Sequence, residues 1–205
     1  MRRNTGFACL LTLSLALGAS SYAADPPKPL PVLAGIVTKV SDGDSIEVRL
    51  DSGPARVRFS AVDTPEYDQP YGSQASAALK AMLPLNSSVE LEVVTQDSFH
   101  RMVAVVYLAA NGQRTNLNEA MLQGGHAWAY RRYMQNSRAC DLEQEARSKK
   151  LGLWAQPVSD WVYPPEWRFL KNGEIRVVPT PYEETLEKCL TTYSRAGKGT
   201  YEPPK

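Results

Sequence analysis

Two short segments of the chain each carry a pair of carboxylates beside a predicted strand. Asp42 and Asp44 flank Gly43 in "VSDGDSIEV", and Asp63 and Glu66 close the segment "VRFSAVDTPE". Turn chemistry alone explains such pairs, because Asp side chains bond their own backbone and Gly accepts a positive φ. Carboxylate and carbonyl oxygens are also the ligands that a hard cation prefers, with water completing the coordination. The two segments therefore predict either ordinary turns or a metal site.

Two arginines stand where they could act together with these carboxylates. Arg58 lies on the same predicted strand as Asp63, and Arg101 stands at the start of a later strand, after "DSFH". A guanidinium can hold a phosphate in bidentate fashion and can neutralise the charge that develops in a transition state. Glu66 could orient or deprotonate an attacking water. Taken singly, each of these is an ordinary turn or surface residue, but together they supply what a phosphodiesterase needs.

Residue periodicity predicts five strands and three helices. The predicted strands are Val32–Lys39, Ser45–Leu50, Ala55–Val62, Ser88–Val94 and Met102–Ala109. The predicted helices are a segment from Gly72 that ends before Pro84, then Leu117–Gln123, capped by Asn116, and Asp141–Lys150. One helix after the third strand and two after the fifth make an α+β chain that is compatible with an OB-type five-stranded β-barrel.

The two ends of the chain differ from this central region. Residues 1–23 combine a charged start, an apolar run and small residues before Ala24, which is typical of a secretory signal peptide. We therefore expect an exported protein, periplasmic or extracellular, with no membrane anchor. Residues 24–31 predict a flexible Pro-rich arm and residues 32–156 the OB-fold domain. Residues 157–205 predict a Pro- and aromatic-rich C-terminal extension with one helix-like segment, Glu183–Tyr193.

The overall charge gives no support for a nucleic-acid partner. The chain has 23 Lys and Arg against 22 Asp and Glu, and loss of Arg2 and Arg3 with the signal peptide leaves 21 against 22. Nucleic-acid binding would therefore need a local basic patch. Trp154, Trp161 and Trp167 could stack on bases, although packing of the extension is the favoured use of these side chains.

Cleavage of the signal peptide would also leave an even number of cysteines. It removes Cys9, so that Cys140 and Cys189 remain. In an oxidising compartment this favours a disulfide, with two unpaired thiols as the alternative. Such a bond would join the last predicted helix to the extension.

Five segments, taken in order, resemble the staphylococcal nuclease family. They are "VSDGDSIEV", "VRFSAVDTPE", "DSFHRMVAVVY", "NEAMLQGGHAWAY" and "EQEARSKKLGLW", and the resemblance covers about residues 33–155 without reaching the extension. It implies an OB-type barrel with three helices. It also implies Ca²⁺-dependent hydrolysis of DNA and RNA with little sequence preference, in which the P–O5′ bond breaks and 3′-phosphate products remain.

The resemblance assigns a metal site to this chain. Asp44 and Asp63 match the Ca²⁺ carboxylates, and Thr64 matches the residue whose backbone carbonyl is a further ligand. Asp42 matches an outer carboxylate that is linked to the metal through water. Because Asp44 and Asp63 would repel each other without the metal, we expect Asp63→Asn to leave the metal-free barrel intact.

The resemblance also assigns the residues that face the substrate. Arg58 and Arg101 match the two phosphate-binding arginines, and Glu66 matches the proposed general base. Tyr130 matches a tyrosine that lies against the nucleotide. The adjacent pair Arg131–Arg132 could serve the phosphate backbone of DNA or RNA.

The chain departs from the family pattern just before Arg101. The family usually has Lys-Tyr-Gly at this point, whereas this chain has Ser98, Phe99 and His100. A phosphate-facing hydroxyl and a nearby positive charge are therefore missing, and we expect weaker ground-state binding of the substrate.

Two classes of function are compatible with these observations. One is a nuclease, and the other is a non-catalytic OB-type module that binds single-stranded nucleic acid. The nuclease is favoured because a binding module has no reason to keep a base and a metal site, here Asp44, Asp63 and Glu66. We expect the protein to be a monomer.

Overall fold

The computed structural model describes residues 31–130, 134, 137–173 and 189. The strands are β1 (Val32–Val40), β2 (Ser45–Leu50), β3 (Gly53–Phe59), β4 (Val62–Asp63), β5 (Ser88–Gln96), β6 (Met102–Ala110), β7 (Gln113–Asn116) and β8 (Trp128–Ala129). The helices are α1 (Gly72–Met82), α2 (Leu117–Gln123), α3 (Arg138–Ser148) and α4 (Pro164–Lys171). The predicted signal peptide, residues 24–30 of the predicted arm, Arg131–Arg132 and the predicted helix Glu183–Tyr193, apart from Cys189, lie outside the described residues.

Five of the strands form a closed barrel, which confirms the predicted OB-type α+β fold. Antiparallel pairing runs in the order β3-β2-β1-β5-β6, and β3 then pairs in parallel with β6, where Arg58 lies opposite Val103. In β2, Ile46, Val48 and Leu50 are buried, and the two residues between them are partly or fully exposed. This alternation encloses an apolar core inside the barrel.

Two asparagines secure helix α2: one caps its start, and the other bonds it to the barrel. The Asn116 side chain accepts a hydrogen bond from the Glu119 amide, so it caps the helix as predicted. The buried Asn118 accepts a 2.9 Å hydrogen bond from the Val106 amide and donates a 2.7 Å bond to the Ser60 carbonyl. These bonds join α2 to β6 and to the bend that follows β3. In the described ranges, no helix has the length and apolar character needed to cross a membrane.

Some predicted boundaries are wrong. The predicted strand Ala55–Val62 is interrupted at Ala61, whose φ of 59° lies in the left-handed region, so that β3 and β4 are separate strands. The short strands β7 and β8 were not predicted. Helix α3 begins at Arg138, before the predicted start at Asp141, and it ends at Ser148, two residues before the predicted end. The chain then takes a φ of 51° at Lys150.

The extension contains a helix that was not predicted. The one helix-like segment predicted in the extension was Glu183–Tyr193, whereas Pro164 and Pro165 occupy the first two positions of α4. Proline suits these positions because first-turn amides have no partner within the helix and its fixed φ is already helical. The prolines therefore begin a helix at this point.

An aromatic cluster packs the extension onto the rest of the molecule. Trp128 in β8 meets Trp154 at a ring-centroid distance of 4.6 Å and Tyr163 at 5.5 Å, and all three rings are fully buried. Trp161 lies edge-on to Trp154 at 5.3 Å. The guanidinium carbon of Arg147 in α3 lies 3.8 Å from the Trp154 ring centroid. Packing is thus the use of Trp154 and Trp161, and the buried Trp154 cannot stack on bases.

A disulfide gives the extension a second attachment. Cys140 in α3 is bonded to Cys189, with the Cα atoms 5.9 Å apart and both residues buried. The two cysteines are 49 residues apart in the sequence. The bond therefore closes a loop that contains α4 and the cluster residues Trp154, Trp161 and Tyr163, whereas Trp128 lies outside this loop.

Reduction of this disulfide should lower the free energy of unfolding by about 2 to 4 kcal/mol, because the open loop gains conformational freedom in the unfolded chain. The measurement is urea unfolding of the oxidised protein and of the double variant Cys140→Ser/Cys189→Ser. Peptide mapping after alkylation without reduction checks the pairing. Alkylation of both Cys140 and Cys189 in the unreduced protein would contradict the bond.

Candidate active site

Strand pairing brings the first two carboxylates to a single arginine. Asp44 immediately precedes β2, and the register places Ser45 opposite Arg58 in β3. Arg58 Nη1 lies 2.8 Å from Asp44 Oδ2, and its Nη2 lies 2.6 Å from Asp63 Oδ1. The side chains of all three residues are less than a tenth exposed. Arg58 therefore bridges two buried carboxylates.

The guanidinium of Arg58 is held by more than these carboxylates. Its Nη1 also donates to the Val62 carbonyl at 2.9 Å. Burial acts to lower the pKa of Arg58, but Asp44 and Asp63 outweigh this effect and raise the pKa above its ordinary value. The arginine is thus a permanent positive charge in a fixed position.

The turn before β2 combines the two alternatives that the sequence left open. Asp42 does turn chemistry, since its Oδ1 accepts a 3.0 Å hydrogen bond from the Asp44 amide. Asp44 instead faces the site, where its Oδ2 accepts bonds from the amide and the hydroxyl of Thr64 at 2.8 and 3.0 Å. Turn chemistry offered a positive φ as the reason for Gly43, but Gly43 does not have a positive φ. It is needed for space. A Cβ at this position would come within 2.8 Å of the Thr64 side chain.

Asp42 is held in an environment that opposes its charge. Burial and the neighbouring Asp44 carboxylate raise the pKa of Asp42 to about 7. Burial and Asp44 therefore both disfavour the charged form of Asp42, and the attraction of Arg58 offsets only part of this effect.

Arg101 reaches the same site from the other side of the β3–β6 pairing that closes the barrel. It immediately precedes β6, whose parallel pairing with β3 places Val57 opposite Met102. Arg101 Nε donates to Asp97 Oδ2 at 2.8 Å, and the ring of Phe99 lies 5.4 Å from the guanidinium carbon. The arginine is thus oriented by a carboxylate and an aromatic ring.

Asp97 is a site residue that the sequence analysis missed. Its Oδ1 accepts the backbone amides of Phe99 and Arg101 at 2.9 and 3.0 Å. Burial acts to raise the pKa of Asp97, but the hydrogen bonds from Arg101 and the attraction of its charge lower it. The signal in the sequence was an aspartate four residues before Arg101, a spacing common to many turns.

Tyr130 and Glu66 complete the set of predicted side chains within the described residues. Tyr130 follows β8, where its amide donates to the Ala61 carbonyl at 2.9 Å, and its ring lies 5.7 Å from the Arg58 guanidinium carbon. Glu66 lies in the loop after β4, and its amide donates to Gln69 Oε1 at 3.1 Å. Arg131 and Arg132 lie outside the described residues.

Arg168 of α4 is the second site residue that the sequence analysis missed. Its Nη1 lies 2.5 Å from Glu66 Oε1, and its Nη2 lies 2.8 Å from Asp63 Oδ2. Burial acts to lower the pKa of Arg168, but the two carboxylates outweigh it and raise the pKa. Arg168 is 105 residues away from Asp63 in the sequence, so no local pattern could connect them.

These residues surround one cavity of about 510 Å³. Its lining contains every predicted catalytic, metal-binding and substrate-binding residue in the described ranges, namely Asp42, Asp44, Arg58, Asp63, Thr64, Glu66, Arg101 and Tyr130. It also contains three charged residues that were not predicted: Arg56, Asp97 and Arg168. The cavity therefore holds a dense mixture of carboxylates and guanidiniums in a chain whose overall charge is close to zero.

The donor set of the cavity suits a hard cation such as Ca²⁺. Asp44 and Asp63 offer oxygen ligands only. Both carboxylates contact the guanidinium of Arg58, so their oxygens face the same positive group. In the part of the chain that the structure describes, no three His, Cys, Asp or Glu side chains gather around a common point. Backbone oxygen and water would have to complete the coordination.

The sequence of the chain is similar to those of several known proteins. Residues 56–156 match the family model described as "Staphylococcal nuclease homologue". The chain is 38% identical over 151 residues to "Protein ParB" of Escherichia coli, which covers 69% of this chain and 82% of that protein. It is 36% identical over 141 residues to a "Micrococcal nuclease" of Shigella flexneri, covering 65% and 79% of the two chains. It is 35% identical over 139 residues to an "Uncharacterized endonuclease" of Escherichia coli O157:H7, covering 67% and 86%.

The pairing of Asp63 argues against the expectation that Asp63→Asn would leave the metal-free barrel intact. Asp63 is not merely repelled by Asp44, because Arg58 and Arg168 each contact one of its oxygens. An Asn amide would turn a donor toward one of these guanidiniums and would remove the negative charge that both of them contact, leaving Asp44 and Glu66 as their carboxylate partners. We expect the metal-free variant to lose about 1 to 3 kcal/mol of unfolding free energy.

Urea unfolding in EDTA, followed by circular dichroism, measures this loss. Asp51→Asn, in the exposed turn between β2 and β3, is the matched control and should change the stability by less than about 0.5 kcal/mol. Equal or greater stability of Asp63→Asn would show that repulsion between carboxylates dominates.

Proposed function

This chain belongs to the staphylococcal nuclease family of phosphodiester hydrolases, and from that premise we propose that it cleaves DNA, RNA or both in a Ca²⁺-dependent reaction with little sequence preference. The observation that carries the proposal is the convergence of Asp44 and Asp63 on Arg58, with Glu66 and Arg101 lining the same cavity. We propose further that the P–O5′ bond breaks and that the products carry 3′-phosphates.

In this proposal Asp44, Asp63 and the Thr64 carbonyl bind the Ca²⁺ ion, and Asp42 assists through water. The ion, when bound, supplies positive charge beside the phosphate. The hydrogen bonds from Thr64 to Asp44 hold that carboxylate in one orientation.

The two arginines act on the phosphate. Its non-bridging oxygens gain negative charge during attack, and guanidiniums that are already held in place can stabilise this charge without reorganising. Arg58 is fixed by the Val62 carbonyl and by its carboxylates, and Arg101 is fixed by Asp97. Such fixed donors contribute more in the transition state than in the bound substrate.

Glu66 and Tyr130 supply the remaining roles. Glu66 orients the attacking water and accepts a proton as oxygen adds to phosphorus. The 5′ oxygen leaves and is protonated, so that one water molecule is added across the P–O5′ bond. Tyr130 lies beside Arg58, where its ring can pack against the nucleotide.

Incubation of plasmid DNA, and separately of RNA, with the protein in Ca²⁺ or in EDTA tests this function. We expect cleavage with Ca²⁺ and none with EDTA, and end-labelling of the products should find 3′-phosphate and 5′-hydroxyl ends. A non-catalytic binding module would retard the nucleic acid on a gel and leave it uncut. Cleavage that persists in EDTA would remove the metal from the proposal.

Arg101→Ala should lower kcat by at least about a hundredfold, the scale found when one preorganised transition-state donor is removed. KM should change much less. Lysine at this position should rescue poorly, because a point charge cannot reproduce a two-pronged contact. Steady-state hydrolysis of a short labelled oligonucleotide at saturating Ca²⁺ gives both constants.

The control for this experiment is Arg49→Ala, which removes an exposed arginine on β2 that does not line the cavity. It should leave both constants unchanged. If Arg101→Ala raises KM and keeps its kcat, Arg101 binds substrate and has no transition-state role.

A further inference from the structure

The extension makes contact with the loop that carries Glu66. Gln69, which is 5% exposed, accepts a hydrogen bond from the Glu66 amide through Oε1 and donates a 2.5 Å bond to the Val162 carbonyl through Nε2. One side chain therefore ties the backbone of Glu66 to the segment that leads into α4. The loop after β4 is held between the barrel and the extension.

Helix α4 is attached to the same loop at a second point. The Trp167 indole donates to Asp68 Oδ1 at 3.1 Å, and the Lys171 ammonium pairs with the other oxygen of Asp68. At the helix start, Tyr163 is fully buried in the aromatic cluster, and Pro164 and Pro165 are also buried. These attachments fix the direction in which the helix presents Arg168.

Arg168 contacts the reactive end of Glu66. The Glu66 side chain is 40% exposed, and in the described part of the chain Arg168 is the one side chain that hydrogen-bonds its carboxylate. A half-exposed glutamate on a loop has several rotamers of similar energy, so a charge-assisted bond decides where its carboxylate points. The other terminal nitrogen of the guanidinium, Nη2, contacts Asp63, so that Arg168 sets the distance between the two carboxylates.

We propose that Arg168 is a positioning residue for the hydrolysis, which holds the Glu66 carboxylate beside the metal-binding carboxylates and so completes the active site from the C-terminal extension. This inference rests on the proposed function of Glu66. It lies outside the family match, which ends at residue 156, before α4 begins. Arg168 also brings into the cavity a positive charge of the kind that Ser98, Phe99 and His100 do not supply.

The contact with Asp63 admits an opposite role, which the experiment must separate. A guanidinium beside a metal-binding carboxylate could compete with Ca²⁺ and act as a plug. A plug predicts that removal of Arg168 increases activity at low Ca²⁺, whereas a positioning residue predicts a loss of kcat even at saturating Ca²⁺. Arg168 donates to Glu66 through Nη1 and to Asp63 through Nη2, and this shared contact favours the positioning role.

The experiment compares wild type, Arg168→Ala, Arg168→Lys, Glu66→Gln and the double variant Arg168→Ala/Glu66→Gln, all in the full chain. Oligonucleotide hydrolysis at saturating Ca²⁺ gives kcat and KM, and calorimetry gives the Ca²⁺ affinity without substrate. The control is Lys149→Ala, which removes an exposed cation that pairs with Glu145 away from the cavity and should leave kcat, KM and Ca²⁺ affinity unchanged.

We expect Arg168→Ala to lower kcat at least about tenfold, as misplacement of a reacting group does, with KM changed less than about threefold. Arg168→Lys should recover part of kcat. In the Glu66→Gln background, Arg168→Ala should have no further effect, because a residue that acts through Glu66 has nothing left to position. Ca²⁺ affinity should be at least as strong as in wild type, since a positive charge near Asp63 is gone.

Four results would overturn the positioning role. Unchanged or higher kcat with tighter Ca²⁺ binding would make Arg168 a plug, and a change confined to KM would make it a substrate contact. An undiminished effect in the Glu66→Gln background would separate Arg168 from Glu66. Weaker Ca²⁺ binding would assign it to the metal site. Absence of Ca²⁺-dependent hydrolysis in the wild type would instead count against the proposed function itself.

Discussion

The structure of this site depends on one buried arginine between two buried aspartates. Arg58 lies at the seam where β3 pairs with both β2 and β6, and it contacts Asp44 and Asp63 at 2.8 and 2.6 Å. Removal of these charges from water is unfavourable unless each is paired and hydrogen-bonded. The arrangement therefore requires the barrel to be closed in the correct register, because a slip of one residue would turn Arg58 toward the core. The closed barrel and the active site therefore depend on the same register of strand pairing.

Around this centre, most of the carboxylates and the arginines come from different elements and meet in ion pairs. The carboxylates come from the start of β2 and from the end of β4 with its loop, apart from Asp97 before β6, whereas the arginines come from β3, the start of β6 and α4. The site therefore offers both negative groups for a cation and positive groups for a phosphate. A chain that is almost neutral overall can thus carry a strong local field.

The extension belongs to the same physical unit as the barrel. The aromatic rings of Trp154 and Tyr163 pack against Trp128, and the Cys140–Cys189 bond closes the loop that contains Trp154 and Tyr163. Through Gln69 and Asp68, the extension also holds the loop of Glu66. A perturbation of the aromatic cluster would therefore reach the site through α4, although the cluster itself does not line the cavity.

The sequence by itself determined the barrel strands, the capped helix α2 and the residues in the cavity that lie within its matched segments. These features depend on local patterns: alternation in β2, the Asn116 cap, and short motifs such as "DGDS" and "DTPE". It could not determine the partners of those residues. Asp63 was expected to suffer repulsion and is in fact paired twice, and Gly43 was assigned a positive φ but is needed for space beside Thr64. Asp97 and α4 have local signals, a spacing of four residues before Arg101 and the pair Pro164–Pro165, but neither signal is specific enough to mark a site. The role of Arg168 was decided by tertiary structure alone, because its contact with Asp63, 105 positions away, arises from packing and leaves no local pattern.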